Sequence, residues 1–487
     1  MKRELVIGKY TLESLTNGMY ASPFDMYREY IQNAVDSFDE TVAKGIEYPD
    51  KLQVDIRINV ENKTVLIRDN GCGIKYEEAV STLLDIGNSQ KSNQNSRGFR
   101  GIGRLAGLSY CDKLTFKTSY RGEDCCTIIE YNAKLLKDLL LPNTYESVSV
   151  EDVIDRIVTI RIEKESSTRK YFEVSLEGVW EEAGLINIER VRDYLIEHAP
   201  LYYSRSFKWG RTIEEKMRLI GYSIPKYHIF LNKNELFKAY EDTFIADRVK
   251  RNSDLIQDVT VEAFYRNNTL SAVLWYADTN FWGTIINNLV KGIRIRQGNI
   301  LIGDKGACSP LFKEERFNGW MIGELYILDK DIIANSRRDG FEKNATYYEL
   351  LEMLKDWAFS VSKKIRHLSY ERSLTIPKKA IAEAETVDDL NDENDLFSED
   401  FGYPEDYGES TFLDLSESNE LAETDFISKL GLLISQKKAQ TKYVALNINE
   451  KLSIEQRRTL ERVFDLITQE YDQKTAEDFI NTISTKF

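Results

Sequence analysis

The hydrophobic pattern predicts an amphipathic helix near the start of the chain. The segment SPFD at residues 22–25 is typical of a helix start, with serine as N-cap, proline at the first helical position and an acid three residues after the cap. Glu29, Asn33 and Asp36 fall together on the polar side of this helix. The alternative is a surface helix whose polar face is only solvated. The apolar stripe on the other side comprises Phe24, Tyr27, Ile31, Ala34, Val35 and Phe38.

Alternating apolar and polar positions predict strands farther along the chain. Every second side chain is apolar in LQVDIRINV at residues 52–60, which is typical of a half-buried strand. The segment VLIRD at residues 65–69 predicts a second strand after a short turn, and IVTIRIEKE at residues 157–165 predicts another. From about residue 226 the pattern is again rich in strands, with segments such as DVTVEAFYR and WMIGELYILD.

These patterns predict an α+β protein with several parts. We expect a first domain at residues 1–165, a second α+β domain at residues 166–345 and a long helix at residues 346–382. Residues 383–425 hold 17 acidic residues and no lysine or arginine, which favours a disordered linker. Residues 426–487 predict a small helical C-terminal region.

Composition limits the class of protein. Removing the 17 acids of residues 383–425 from the net charge of −15 leaves +2 for the rest of the chain, which gives only weak support to nucleic-acid binding. The five cysteines form no C-x-x-C pair, which indicates reduced thiols in a cytoplasmic protein without a zinc site. No apolar stretch reaches the length of a membrane span, about 18 residues, so we expect no membrane association.

A turn after the second predicted strand carries candidate chemistry. The strand VLIRD ends at Asp69, and Gly71 and Gly73 follow at two-residue spacing. Glycine lets a backbone lie against a flat ligand, because it has no Cβ. A carboxylate at this point can accept a hydrogen bond from an exocyclic amine such as that of adenine. The alternative is an ordinary hairpin turn, since DNG is a common turn sequence.

A second glycine-rich stretch, GFRGIG at residues 98–103, precedes the helix-like segment RLAGLSY. Such a loop offers free backbone N–H groups and the positive end of a helix dipole to a phosphate. The stretch differs from the dinucleotide-binding fingerprint, because its spacing is G-x-x-G-x-G and no strand immediately precedes it. It also differs from a Walker loop, because no G-K-[ST] follows.

In this order the three motifs resemble those of the GHKL ATPase superfamily. Its members include the ninety-kilodalton heat-shock chaperones, MutL mismatch-repair proteins, the gyrase ATPase subunit, MORC ATPases and sensor histidine kinases. The family's threonine on a late strand is matched by Thr159 in RIVTIRI. The resemblance, to chaperone-like or MORC-like members above all, implies a GHKL (Bergerat) ATP-binding sandwich with a mixed sheet and a helical layer, followed by a middle or transducer-like domain.

The resemblance also implies a role for each candidate residue. Glu29 is expected to be the general base that activates the attacking water, Asn33 to bind Mg²⁺ and Asp36 to support the site. Asp69 is expected to bind the adenine amine, with Thr159 helping through water. The other expected ATP-binding residues lie in the glycine turn, the ATP lid and the phosphate loop: Gly71, Gly73, Asn88, Ser89, Lys91, Gly98, Phe99, Arg100, Gly101, Ile102 and Gly103.

A loop in the second predicted domain resembles one by which the heat-shock chaperones contact the γ-phosphate. The segment is MIGELYILDKDIIANSRRDGFE at residues 321–342. On this match Arg338 is the expected phosphate-sensing arginine, Arg337 is the near alternative, and Asn335 and Asp339 also align. The alternative is a surface loop with a solvated charge cluster.

The function implied by the resemblance is Mg²⁺-dependent ATP hydrolysis. Glu29 favours hydrolysis over kinase activity, because histidine kinases of the family lack this base. The expected protein is an ATP-gated dimeric clamp or chaperone-like ATPase that acts on a protein partner, and a bacterial multi-protein defence system is one setting for it. Two alternatives stay open: a DNA-associated clamp of the MutL or MORC kind, and a non-catalytic, nucleotide-gated scaffold.

Overall fold

The protein's structure is a computed structural model that describes residues 8–16, 20, 22–46, 51–85, 103–141, 149–247 and 251–384. All of them fall within the unit Met1–Leu390. Apart from the end of a helix at Ala384, the predicted linker at residues 383–425 and the predicted C-terminal region at residues 426–487 lie outside the described residues.

The described α-helices are, in chain order, α1 Tyr10–Thr16, α2 Asp25–Ala43, α3 Tyr76–Leu84, α4 Ala133–Leu140, α5 Val150–Ile157, α6 Ile188–His198, α7 Trp209–Leu219 and α8 Ala345–Ala384. Short 3₁₀ helices occur at Gly103–Tyr110, Glu181–Ala183, Ser309–Leu311 and Glu315–Trp320. None of the helices in the described part of the chain has both the length and the apolar character needed to cross a membrane.

Helix α2 begins later than its sequence pattern predicts. The helix starts at Asp25 with Phe24 at the N-cap position, so the predicted start at Pro23 is wrong by two residues. The reason is a local turn: the Ser22 hydroxyl accepts a hydrogen bond from the Phe24 N–H at 3.3 Å, and the Ser22 N–H donates to the Asp25 carboxylate at 3.3 Å. These two hydrogen bonds form a turn that leads into the helix.

The strands of the described residues are β1 Gln53–Asn59, β2 Thr64–Asp69, β3 Lys113–Ser119, β4 Cys125–Asn132, β5 Val158–Lys164, β6 Tyr171–Glu177, β7 Tyr202–Tyr203, β8 His228–Leu231, β9 Asn234–Glu235, β10 Phe237–Lys238, β11 Thr243–Ala246, β12 Asn252–Leu255, β13 Asp258–Arg266, β14 Thr269–Asp278, β15 Gly292–Gln297, β16 Ile300–Leu301 and β17 Ile322–Ile327. Two larger sheets hold most of them. Two small pairs, β7 with β10 and β11 with β12, stand apart.

The first sheet has the strand order β5-β4-β3-β6-β2-β1-β8-β9. Strands β1 and β8 are parallel and the other neighbours are antiparallel, so the sheet is mixed. Helices α2 and α6 and the 3₁₀ segment Gly103–Tyr110 share one core with this sheet, to which Phe38, Leu105 and Leu195 contribute. The predicted α+β class, with a mixed sheet and a helical layer, is confirmed.

Strands β6, β8 and β9 follow the predicted boundary at residue 165 and yet belong to the first sheet. Strand β6 pairs with both β2 and β3, and β8 pairs with β1. The sheet therefore takes strands from both sides of that boundary. The division of the chain into domains stays a prediction.

The second sheet has the order β13-β14-β17-β15-β16, and helices cover both of its faces. Helix α8 packs on one face through Leu354 and Trp357. On the other face, Ile213 and Met217 of α7 share a cluster with Trp275 of β14. A strand between two helical layers has no face toward water, so every one of its polar side chains needs a partner inside the protein.

Glu324 on β17 is such a polar side chain, with 0% of its surface exposed. Its carboxylate accepts hydrogen bonds from the Lys238 Nζ at 2.7 Å, the Tyr203 hydroxyl at 2.9 Å and the Trp275 indole N–H at 3.3 Å. The Arg296 guanidinium pairs with its other oxygen. Burial alone would raise the pKa of Glu324, but Arg296 and Lys238 outweigh burial and hold this pKa well below its usual range.

Replacing Glu324 with glutamine should destabilise the protein strongly. The change leaves the buried cations Lys238 and Arg296 without their counter-charge, so we expect the free energy of unfolding to fall by about 3–5 kcal/mol. Urea denaturation followed by circular dichroism measures this difference. The control is E352Q, which removes one partner of an exposed pair with Lys355 and should change stability little. Equal stabilities of the two variants would contradict the importance of the buried charge.

Candidate functional site

Helix α2 brings three of the predicted residues together. The apolar stripe holds the helix against the sheet, because Tyr27, Val35 and the rest of that stripe are buried in the core. Glu29 and Asn33 are partly exposed beside the stripe, while Asp36 is buried. The side chain of Glu29 is 12% exposed, so its carboxylate is close to the protein interior and still open to a ligand.

The carboxylate of Glu29 is the point where separate parts of the chain meet. Gly103, the last glycine of the predicted phosphate loop, lies so close that a Cβ at this position would collide with the Glu29 carboxylate. On the other side, the Arg28 Nη2 lies 3.7 Å and the Arg338 Nε 3.8 Å from the Glu29 Oε1. An acid beside two arginines and a glycine backbone is suited to a ligand with negative charge nearby.

Arg28 is the buried cation of this group, with 6% of its surface exposed. Its guanidinium pairs with Asp25 at 3.1 Å and donates a hydrogen bond to the Arg337 carbonyl at 3.2 Å. Burial alone would lower the pKa of Arg28, but Tyr194, Glu29 and Asp25 outweigh burial and raise it. The positive charge at this position is therefore kept.

The loop that contains both predicted arginines presents Arg338, not Arg337, to Glu29. Arg337 is exposed, whereas the side chain of Arg338 is 10% exposed. Ala334 and Phe341 pair at the base of the loop, and the Asn335 side chain donates to the Asp339 carboxylate at 2.5 Å. These contacts hold the loop in the shape that brings Arg338 to the site.

The turn after β2 places Asp69 in the protein interior, with 4% of its surface exposed. Its Oδ1 accepts a hydrogen bond from the Gly71 N–H at 2.9 Å. A Cβ on Gly71 would collide with the Ser37 hydroxyl of α2. Gly73 has a φ of +70°, and a Cβ there would collide with the Ser119 carbonyl of β3. Both glycines are therefore required for the turn to fit between the helix and the sheet.

Thr159 does not lie beside Asp69, contrary to the role expected for it. Its strand, β5, is the edge of the first sheet, and β4, β3 and β6 separate it from β2. Thr159 itself is exposed. The expectation fails because an alternating pattern identifies a strand but does not give its position in the sheet.

Thr118 on β3 is a buried threonine that does lie near the glycine turn, and it was not predicted from the sequence. Its hydroxyl accepts a hydrogen bond from the Ile74 N–H at 2.9 Å and donates to the Tyr171 carbonyl at 3.2 Å. Asp69 and Thr118 both pair with Phe172, one from each side, so the three lie in one row across the sheet. The available signal was a hydroxyl on the buried face of KLTFKTS, in line with Leu114 and Phe116.

The described chain stops at Asp85 and resumes at Gly103, so much of the predicted lid and phosphate loop lies outside the described residues. The guanidinium of Arg104 joins the two ends, because it donates hydrogen bonds to the carbonyls of Thr82 and Asp85. The expected ATP-binding residues in the gap are Asn88, Ser89, Lys91, Gly98, Phe99, Arg100, Gly101 and Ile102.

The donors present fit a magnesium ion that arrives with a nucleotide better than a metal held by protein alone. Within the described ranges, no group of three or more His, Cys, Asp or Glu side chains could hold a metal ion. Asn33, one helical turn from Glu29, offers one amide oxygen. Mg²⁺ keeps several waters and takes phosphate oxygens together with one or two protein ligands, which suits this sparse set.

Comparison with known proteins identifies the class of the segment that carries this site. Residues 22–158 match the family described as histidine kinase-, DNA gyrase B-, and HSP90-like ATPase. This segment of the chain is therefore a GHKL ATPase domain, and the superfamily predicted from the sequence is confirmed.

Relatives at low identity indicate the HSP90-like branch. The chaperone protein HtpG of Acinetobacter baylyi is 32% identical over 129 residues, which are 23% of this chain and 20% of that protein. HtpG of Fusobacterium nucleatum is 30% identical over 140 residues, 24% of this chain and 23% of that protein. HtpG of Polaromonas sp. is 24% identical over 194 residues, 36% of this chain and 29% of that protein. The chain thus spans between a fifth and a third of the length of these curated relatives.

Replacing Thr118 with valine should weaken nucleotide binding, whereas the same change at Thr159 should not. The first variant leaves the Ile74 N–H without its acceptor and loosens the turn that holds Asp69, so we expect the Kd for a non-hydrolysable ATP analogue to rise about tenfold, or ~1.4 kcal/mol. Isothermal titration calorimetry measures both variants. A larger effect at Thr159 than at Thr118 would contradict the strand order.

Proposed function

We propose that this protein hydrolyses ATP, with Glu29 as the general base. The observation that carries the proposal is that groups far apart in sequence meet at the Glu29 carboxylate. They are Gly103, at the end of the predicted phosphate loop, and Arg338, in the loop after β17. A glycine-rich loop, a base and an arginine are the parts that hydrolysis of a phosphoric anhydride requires. The match of residues 22–158 supports ATP as the ligand.

Each residue has a physical task in this mechanism. The buried carboxylate of Asp69 accepts a hydrogen bond from the adenine amine, which fixes the end of the nucleotide distant from the reaction. The carboxylate of Glu29 accepts a proton from water as this water attacks the γ-phosphorus. The bond from this phosphorus to the bridging oxygen breaks, and ADP leaves with its electron pair. Asn33 would hold Mg²⁺ together with the nucleotide, and the ion would supply positive charge against the phosphates. Gly103 lets the backbone approach the Glu29 carboxylate closely, because a Cβ at this position would collide with it.

Arg338 supplies positive charge on the side of the site opposite Gly103. Its Nε is 3.8 Å from Glu29, so a γ-phosphate positioned for attack by a water bound to Glu29 lies within its reach. A guanidinium there stabilises the charge that the phosphate oxygens carry in the transition state. Arg28 stays with Asp25 and the Arg337 carbonyl and so holds the loop in place.

The biological role that fits best is a dimeric, ATP-gated clamp with a chaperone-like action on a protein partner. The matched relatives are chaperones by name, which supports this choice. A DNA-associated clamp is the second candidate, but the charge of +2 outside the acidic segment gives it little support. The acid at residue 29, which the proposed general base requires, is a reason to favour hydrolysis over a scaffold that only binds nucleotide.

Turnover should depend on Glu29. We expect E29A to lower kcat for ATP by about 10²–10⁴-fold while the Kd for a non-hydrolysable analogue stays close to that of the wild type, because the general base acts in the chemical step. Phosphate release and calorimetry measure the two quantities. The matched control is E40A, which removes an exposed acid of the same helix and should hydrolyse ATP like the wild type.

The mass of the protein with the analogue, measured in parallel by light scattering, tests the clamp. A dimer that forms with nucleotide supports the clamp. A monomer under all conditions contradicts it without bearing on hydrolysis. A wild type that binds ATP and does not turn it over would instead favour the scaffold.

The two arginines of the loop should differ in their effect on turnover. R338A should lower kcat by about 10²-fold, because it removes a charged donor that acts on the transition state. R337A should leave kcat near that of the wild type, since its side chain is exposed and only its backbone carbonyl contacts Arg28. Steady-state kinetics of both variants at saturating ATP gives the comparison. Similar losses for both would mean that the loop acts by general charge, not through Arg338.

A further inference from the structure

Helix α6, which follows the matched segment 22–158, makes a polar contact with helix α2 through Tyr194. The Tyr194 hydroxyl donates a hydrogen bond to the Asp25 Oδ1 at 2.9 Å. Asp25 pairs with the Arg28 Nη1 at 3.1 Å, and the Arg28 Nη2 lies 3.7 Å from Glu29. A chain of three polar contacts therefore leads from Tyr194 to the proposed base.

The position of the Tyr194 hydroxyl is fixed by its surroundings. Its ring stacks on His198 with 3.9 Å between ring centroids and lies 5.6 Å from the ring of Phe24. Burial raises the pKa of Tyr194 well above its usual value, so the hydroxyl keeps its proton and stays a donor. Asp25 and Arg28 are each 6% exposed, so water cannot easily replace these contacts.

One turn farther along α6, Glu197 contacts the second sheet. The Arg294 Nη2 lies 3.1 Å from the Glu197 carboxylate, and the Arg296 Nη2 donates to the Glu197 backbone carbonyl at 2.9 Å. Both arginines are on β15 and are almost fully buried. Arg296 also pairs with Glu324, so this contact belongs to the buried cluster of the second sheet.

We propose that Tyr194 and Glu197 are positioning residues for Glu29. Through Glu197 the second sheet fixes the end of α6, and through Tyr194 the helix fixes Asp25 and Arg28, which set the orientation of the Glu29 carboxylate. This inference rests on the proposed ATPase activity. In this proposal α6, which lies outside the matched segment, helps to orient the catalytic carboxylate. The helix also connects the site to the second sheet separately from the loop that carries Arg338.

The geometry explains why a distant hydroxyl affects the base. The Arg28 guanidinium is shared by Asp25, Glu29 and the Arg337 carbonyl, so a loss of its contact with Asp25 lets it turn toward the other two. The Glu29 carboxylate then pairs more closely with Arg28. Its orientation becomes less suitable for accepting a proton from the attacking water. Supporting groups of this kind act by orientation, and misplacement of a reacting group by about 1 Å costs up to ~10²-fold in rate.

The decisive variant is Y194F, which keeps the ring and removes only the hydroxyl. We expect kcat to fall about tenfold while KM for ATP stays within about twofold of the wild type, because the Asp69 pocket is untouched. The matched control is Y27F. Tyr27 is fully buried and lies on α2. Its phenylalanine variant also loses a hydrogen bond, to the Leu185 carbonyl at 2.6 Å, but Tyr27 has no contact with Asp25 or Arg28 among its described hydrogen bonds.

A double-mutant cycle tests the connection to the second sheet. E197Q should lower kcat about threefold alone and add little in the Y194F background, because both act along one route. The control for this change is E189Q, an exposed acid of α6 paired with Arg192, which should leave kcat unchanged in either background. Thermal melting of all variants shows whether loss of stability accompanies loss of rate.

The outcomes separate this inference from the proposed function. Turnover that requires Glu29 but is unchanged in Y194F overturns the positioning role alone, as does an equal fall in kcat for Y27F. Additive losses for Y194F and E197Q overturn the connection through α6. A wild type without turnover overturns the proposed activity and, with it, the positioning role.

Discussion

The guanidinium of Arg28 is 6% exposed, and a charge so far from water is stable only when acids and carbonyls surround it. Asp25 and Glu29 of its own helix and the carbonyl of Arg337 meet this need. The Arg337 carbonyl belongs to the loop after β17, and Asp25 accepts a hydrogen bond from α6. The contacts of this one buried cation therefore connect three regions of the chain. The candidate site lies at that junction: the loop whose carbonyl accepts a hydrogen bond from Arg28 also places the Arg338 Nε 3.8 Å from Glu29.

Local features of the site could be predicted from the sequence, because short-range patterns encode them. The polar face of α2 follows from helical periodicity, and the turn at Asp69 follows from its glycines. The edge position of β5 could not be predicted, since strand order depends on pairing between distant segments, and VTIRIEK has the alternation of an inner strand. The sequence therefore places Thr159 at a pocket from which three strands separate it. Thr118 lies in the same row of the sheet as Asp69, but its only local signal is a hydroxyl on an apolar face.

The buried charges of the second sheet escaped prediction for a related reason. In GIRIRQ and WMIGELYILD, the arginines and Glu324 occupy the alternate positions that face water in a half-buried strand. Because α7 and α8 cover the two faces, these positions are also inside the protein. Glu324 lies on the α7 side, between Ile322 and Tyr326 of the apolar cluster there. Only the packing of helices far away in sequence reveals this, and with it the link from Glu324 through Arg296 to α6.

The place of β6 in the first sheet has a consequence for biosynthesis. This strand lies between β3 and β2, so a nascent chain that has emerged only as far as residue 158 holds two separate strand groups with unpaired inner edges. The other edge of β1 stays unpaired until residues 228–231, which form β8, become available. Contacts of such long range form late, so the strands of the matched segment depend on residues 171–177 to join into one sheet.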